Sequence, residues 1–331
     1  MLSRILSLLS EIAAAVSRLE RAVAPPGPQG VNPDAWVGLR PDSALTYSRA
    51  VQDFMRWAET KSLMLEFPTE IDRAVVQYAR ENRLSRGKLE TLSSALMRGL
   101  PGLRGKMVWT QSTIKNMLKW SPPVHKVPMM RFVAIAVGHL MAINGWARAG
   151  GLLILQVCLG LRPGELLGLM REDLVPGRPG VNNGNAVVAL GKRFGTKAGR
   201  PQFVVVHAGE DPVALALVAA FVASTPNGSP LSSLSYQDYS KVLHRTLRQM
   251  RLGDIGYTPH SPRAGWATGL RLSGVPFTEI QERGRWATAA TLRTYLDAVA
   301  ASTSLLQRTQ TLWEFAQYIE EDFSARFPWW R

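Results

Sequence analysis

Apolar residues recur at steps of three and four along most of this chain, the spacing of one helical face. At the N-terminus Leu2, Ile5, Leu9, Ile12, Val16, Leu19 and Val23 form a heptad seam, which predicts an amphipathic, coiled-coil-like helix over residues 1–24. Glu11 and Glu20 interrupt its basic face, which argues against a transit peptide. Residues 25–39, opening with Pro25-Pro26-Gly27-Pro28, cannot continue a helix and read as a linker. From Ser43 the helical spacing resumes: Leu45, Val51, Phe54, Met55 and Trp57 predict a helix capped by Asp42 or Ser43. Further amphipathic stretches over 69–82, 85–99 and 111–120 complete a helical domain, 40–121. The proline-rich segment 122–128 predicts a second linker.

Beyond it, residues 129–300 predict a second domain. Strongly apolar helices cover 129–146 and 148–161, and another opens at Pro163, a favoured first-turn residue. Helical spacing also marks 211–223, 236–251, 262–273, 276–283 and 287–301. Only 185–206 changes period. There Ala186-Val187-Val188-Ala189-Leu190 and Phe203-Val204-Val205-Val206 flank a basic, glycine-containing centre, which predicts an antiparallel hairpin. A tail, 301–331, carries one more helix. The fold expected is mainly α with a small antiparallel β-hairpin or sheet in the second domain.

Composition narrows the function. With 331 residues, 46% hydrophobic and 19% charged, the chain has material for two cores and is not of disordered type. Its longest apolar runs are interrupted by Arg, Asn, His or Gln short of the roughly 18–20 residues of a membrane span, so no membrane partner is expected. A net charge of +14 favours a polyanion. In the first domain Arg49, Arg73, Arg86, Lys88, Lys115 and Lys119 belong to the basic surplus that a phosphate-facing surface needs. The single Cys158 excludes a disulfide framework within the chain and a cysteine zinc site, points to a reducing intracellular compartment, and reads as a small core residue.

Four local strings carry candidate chemistry. They are Gly160-Leu161-Arg162-Pro163-Gly164-Glu165-Leu166-Leu167-Gly168-Leu169, Thr196-Lys197-Ala198-Gly199 in the hairpin centre, Pro259-His260-Ser261-Pro262-Arg263, and Gly284-Arg285-Trp286 with Tyr295 nine residues after Trp286. In type, order and spacing they resemble the tyrosine recombinases, the phage integrase family of DNA breaking and joining enzymes. The resemblance covers 129–300 in motif and 34–128 only in size, helicity and basic character. Trp286 stands where many relatives have His, and Pro262 is less usual inside the His-x-x-Arg box.

The resemblance implies a two-domain clamp on double-stranded DNA and catalysis without metal, cofactor or ATP. Tyr295 would attack the scissile phosphodiester to leave a 3′-phosphotyrosyl link. Arg162 and Arg263 would present guanidinium forks to the phosphate oxygens, and Lys197 would protonate the leaving 5′-oxygen. His260 would bond the phosphate or manage the tyrosine proton, and Trp286 would donate from its indole nitrogen. Glu165 would support them by orienting His260 or a neighbouring backbone. Lys192 is the rival general acid; Tyr236, Tyr239 and Tyr257 are rival nucleophiles. Partners implied are DNA and a homo-tetramer on synapsed sites, with strand exchange through a Holliday junction, the 301–323 tail and the N-terminal helix serving as contacts between protomers. The location implied is wherever the DNA lies, nucleus or bacterial nucleoid. Two other readings stay open: a type IB topoisomerase-like relaxing enzyme, and a DNA-binding protein without chemistry.

Overall fold

The computed structural model describes residues 39, 41–120, 127–191, 202–296 and 310–329. The heptad seam of 1–24, the 25–39 linker apart from Leu39, and most of the 122–128 linker lie outside the described residues. The fold is mostly helical with one three-stranded antiparallel sheet, and it divides into two compact units, Met1–Pro123 and Val124–Arg331.

Among the described residues the first unit has four α-helices, α1 (Pro41–Thr60), α2 (Pro68–Glu81), α3 (Arg86–Gly99) and α4 (Val108–Trp120). Their inward faces, among them Phe54, Val75, Leu89, Leu92 and Ala95, make one core. Caps explain the boundaries. The Glu70 carboxylate accepts from the Glu66 and Phe67 amides at 3.0 Å each, closing the start of α2, and Ser85 caps α3. α4 opens three residues before the predicted 111 because the buried Asp72 carboxylate accepts from the Trp109 and Thr110 amides and from the Thr110 hydroxyl, at 2.6–2.9 Å. α1 likewise starts at Pro41, before the expected Asp42 or Ser43 cap.

The second unit is built on a helical hairpin, α5 (Arg131–Met141) and α6 (Ala147–Leu159), joined by a π-type segment, Ala142–Trp146, in which Gly145 has a φ of 84°. By length and composition Arg131–Leu159 would be apolar enough to cross a membrane, contrary to the expectation from its polar interruptions; most of it is buried. It doubles back instead. Gly138 and Gly150 meet where the helices cross, and a β-carbon on Gly150 would lie 2.1 Å from the Gly138 carbonyl oxygen. After the short α7 (Pro163–Leu167) come β1 (Leu174–Val175), β2 (Ala186–Leu190) and β3 (Gln202–Val206), in the order β1-β2-β3. Val188 pairs with Leu174 on one side and Val204 on the other, and Ala186, Val188, Leu190 and Val206 face the core. β1 was not legible: two residues are too few to show a period.

Helices α8 (Pro212–Ser224), α9 (Tyr236–Gln249), α10 (Ser261–Leu272), α11 (Phe277–Arg283), α12 (Ala289–Leu296), α13 (Gln310–Glu321) and α14 (Phe323–Arg326) complete the unit. Ala316, Ile319, Phe323 and Phe327 belong to the same core as α5 and α6. An ionic staple fastens this tail: Arg131 bonds Asp211 through both terminal nitrogens, at 2.6 and 3.0 Å, and Glu320 through Nε at 2.6 Å. Of the 301–323 tail expected to serve as a contact between protomers, residues 301–309 lie outside the described residues; Ala316, Ile319 and Phe323 pack on this unit, while Trp313, Phe315 and Tyr318 are exposed. Cys158 is buried, its sulfur 3.2 Å from the Arg131 guanidinium, and burial pushes its thiol well above the usual range.

Candidate active site

Three chain segments, far apart in sequence, meet at one turn of the second unit. The first begins where Gly160 ends α6 in a left-handed conformation, after which Arg162 takes the extended geometry of a residue preceding a helix and Pro163 opens α7. Glu165, in the first turn of α7, folds its carboxylate back. Oε2 accepts from the Arg162 amide at 2.8 Å and Oε1 from Arg162 Nη1 at 2.5 Å. The helix start and the arginine side chain are thus set by the same carboxylate.

The second segment is the start of α10. The Ser261 hydroxyl accepts from the Thr258 amide at 2.9 Å, Pro262 lies in the first turn, and Arg263 follows inside the helix, 1% exposed. His260 occupies the position preceding the helix and is half-buried. Arg263 Nη1 donates to the Gly160 carbonyl, Nη2 to the Gly284 carbonyl, and its Cζ sits 4.1 Å from the centre of the Trp286 ring.

The third segment is the end of α11. The Arg285 amide bonds the Glu282 carbonyl at 2.9 Å and the Trp286 amide bonds the Gln281 carbonyl at 3.0 Å, the paired bonds of a Schellman turn. Trp286 packs on Ile280 and stacks on Trp266 with ring centres 6.1 Å apart. Gly284 is required by that packing: a β-carbon there would lie 1.6 Å from the Trp286 ring. The turn aims two successive carbonyls at the other segments, Gly284 toward Arg263 and Arg285 toward Arg162 Nη2 at 3.2 Å. A buried glutamine ties the first two segments, since Gln156 Nε2 donates to the Leu161 carbonyl at 3.1 Å and the Pro259 carbonyl at 2.9 Å.

No protein-family model matches the chain, and a search of curated proteins finds no match. Among solved structures, the chain is similar to the XerH site-specific recombinase in a pre-cleavage complex with difH substrate, at 16% identity over 77% of each chain with a TM-score of 0.45. It is also similar to XerA recombinase, at 15% identity over 90% of this chain and 97% of that one, with a TM-score of 0.39.

The structure therefore gathers Arg162, Glu165, Arg263 and Trp286 around one turn, with His260 at the head of the helix that carries Arg263. Tyr295 lies on α12, which packs against α10. Lys197 and its rival Lys192 fall outside the described residues. Two rival tyrosines are sealed. Tyr239 is fully buried, its hydroxyl 3.4 Å from Gln156 Oε1, and burial raises its phenol well above the usual range; Tyr257 is buried and pushed up to about 12. Tyr236 is exposed.

Two participants were not singled out from sequence. Gln156 gave no signal, being one polar residue in an apolar helix. Arg285, between Gly284 and Trp286, shows no role by its place in the sequence, yet its Nη2 donates to Glu165 Oε2 at 2.9 Å. The electrostatics follow. Burial alone would raise the Glu165 carboxyl, but the Arg285 and Arg162 guanidinium groups and the Arg162 amide together hold it below the usual carboxylate range. Burial lowers the Arg285 guanidinium, Glu165 opposes that, and Arg162 adds to the lowering. Two cations share one carboxylate. Of these side chains, Arg162 is the accessible member at 23% exposed, against 8% for Arg285 and 9% for Glu165.

Proposed function

We propose that this chain is a site-specific DNA recombinase of the tyrosine type, which cleaves duplex DNA through a 3′-phosphotyrosyl intermediate on Tyr295 and rejoins it. The observation that carries the reading is the Arg162–Glu165–Arg285 cluster, with Arg263 anchored on the carbonyl beside the one that Arg162 meets. Two guanidinium groups on a single carboxylate leave positive charge in a partly buried place. A buried charge demands a counter-ion, and the most exposed member, Arg162, offers planar donors suited to a phosphodiester.

In this reading the Tyr295 oxygen attacks phosphorus, the bond to the 5′-oxygen breaks, and that oxygen takes a proton from Lys197. Arg162, the accessible guanidinium, stabilises the charge that builds on the non-bridging oxygens in the five-coordinate transition state, and Arg263, buried against the Gly160 and Gly284 carbonyls, adds its positive field from behind. His260 bonds the phosphate or accepts the phenol proton; Trp286 holds the Arg263 side chain by its ring face and donates through its indole nitrogen. The phosphotyrosyl bond keeps the energy of the one broken, so rejoining needs no nucleotide. Synapsis of two sites by four protomers, and integration or exchange of DNA as the outcome, belong to the same proposal, as does a location with the DNA. The net charge of +14 agrees with a polyanionic substrate.

The test uses a library of random-sequence duplexes carrying one nick, which lets the short cleaved fragment escape and traps the intermediate. Wild-type protein is expected to give denaturant-resistant protein–DNA adducts and Tyr295→Phe none. No adduct with wild type, or equal trapping by Tyr295→Phe, would overturn the reading.

A further inference from the structure

Arg285 is an expensive residue for its position. It occupies the left-handed site of the Schellman turn, with a φ of 58°, where glycine is the usual choice because a β-carbon is disfavoured. Its side chain is 8% exposed, and its Nε is a buried donor with no hydrogen-bond partner among the described residues. Turn geometry alone would be served better by Gly. Apart from a long 3.5 Å bond from Nη1 to the Arg283 carbonyl, what the side chain adds is the bond from Nη2 to Glu165 Oε2, the same oxygen that accepts the Arg162 amide.

We infer that Arg285 is a positioning residue for phosphodiester cleavage: by holding one oxygen of Glu165 it prevents that carboxylate from closing a neutral one-to-one ion pair with Arg162, and fixes the direction in which the Arg162 guanidinium points. The inference rests on the recombinase reading above. Its logic is charge sharing. With Arg285 present, one negative charge is divided between two guanidinium groups, and Arg162 keeps a positive field for the phosphate while Nη1 and Nη2 stay anchored on Glu165 and on the Arg285 carbonyl. Without it, Glu165 turns both oxygens to Arg162, and the cation meant for the substrate is neutralised by its own support. Arg285 thus acts from both ends, through its carbonyl on Arg162 directly and through its side chain on Glu165.

The decisive variant is Arg285→Gly, since glycine suits the turn. The DNA is a nicked duplex of a sequence recovered from the trapping library, under single-turnover conditions. Arg285→Gly is expected to keep or raise the melting temperature and to slow adduct formation about 10–100-fold, the scale of a misplaced catalytic group. Arg285→Lys, which keeps the charge, is expected to lose less. Adding Glu165→Gln to Arg285→Gly is expected to recover part of the lost rate, because it removes the charge that Arg285 offset; a purely structural role gives no such recovery. Wild-type cleavage by Arg285→Gly, or a double variant slower than Arg285→Gly, would overturn the inference while leaving the recombinase reading intact. Parallel loss of melting temperature and rate in both Arg285→Gly and Arg285→Lys would make it a folding residue, which also overturns it. Wild-type protein that traps no DNA fails at the earlier step and removes both.

Discussion

Two arginine–carboxylate clusters among the described residues of the second unit have opposite charge balance. At the Arg131 cluster one guanidinium faces two carboxylates, Asp211 and Glu320, and every contact joins secondary-structure elements: α5 to the start of α8 and to α13. At the Arg162 cluster two guanidinium groups face one carboxylate, and the contacts converge on loop ends and helix starts. Hydrogen-bond geometry is equally good in both. Charge balance separates them: the first carries an excess of negative charge and fastens the tail, whereas the second carries an excess of positive charge, the sign that the proposed phosphodiester would offset. A buried ion pair by itself therefore says little about function, and the sign of what is left over says a great deal.

The largest test of this contrast is Arg162→Ala. Cleavage is expected to fall about 10²–10⁴-fold in single-turnover trapping, with DNA affinity in a filter-binding titration changing far less. Equal loss of both would make Arg162 a binding contact. Arg131→Ala is its mirror image. It leaves two carboxylates facing each other, so unfolding free energy is expected to drop by about 1–3 kcal/mol in a denaturant titration, an amount moderated by the 37% exposure of the Arg131 side chain. The cleavage rate per folded molecule is expected to hold.

Gly284→Ala sharpens the contrast by attacking the turn rather than the charges. The new methyl overlaps the Trp286 ring, and relief must shift either the ring beneath Arg263 or the carbonyl that Arg263 uses. The expected result is about 1–3 kcal/mol of lost stability together with slower cleavage. The smallest effect is in pH. His139 is half-buried with its ring edge-on to Phe315 and Phe327, its Nδ1 has no partner among the described residues, and burial lowers its pKa. Its neutral form is thus favoured by the fold, and that contribution is whole above the unfolded value of about 6.5 and is lost as pH falls from there toward the folded value. Melting temperature is expected to decline between pH 7 and 5 in wild type and to decline less in His139→Phe. Glu165 and Asp211, both held below the ordinary carboxylate range, add a second decline as pH falls below about 4 and the carboxylates protonate.

The part of this site that was legible in sequence was the part written in side-chain type at short range. Arg162 before Pro163, His260 three residues before Arg263, and Gly284 two residues before Trp286 are local strings whose chemistry shows without a fold. Long-range partners were not. Gln156 gains its meaning only from the Pro259 carbonyl, 103 residues away, and Arg285 from Glu165, 120 residues away. Asp72, which fixes the start of α4 from 37 residues upstream, is of the same kind. Helices were legible because burying one face imposes a period. In 129–161 the division into two helices was legible, but the π-type segment Ala142–Trp146 with its left-handed Gly145, and the close Gly138–Gly150 crossing, were not, since neither changes the hydrophobic pattern.

The most direct measurement is the identity of the amino acid joined to DNA. Adducts trapped on the nicked library are digested with trypsin and nuclease, and the peptide bearing a nucleotide is sequenced by mass spectrometry. The mass is expected on Tyr295, linked to the 3′ end of the cleaved strand. A linkage through another residue such as Tyr236, or through the 5′ end of the strand, would contradict a site in which the Arg162 cluster serves attack by Tyr295.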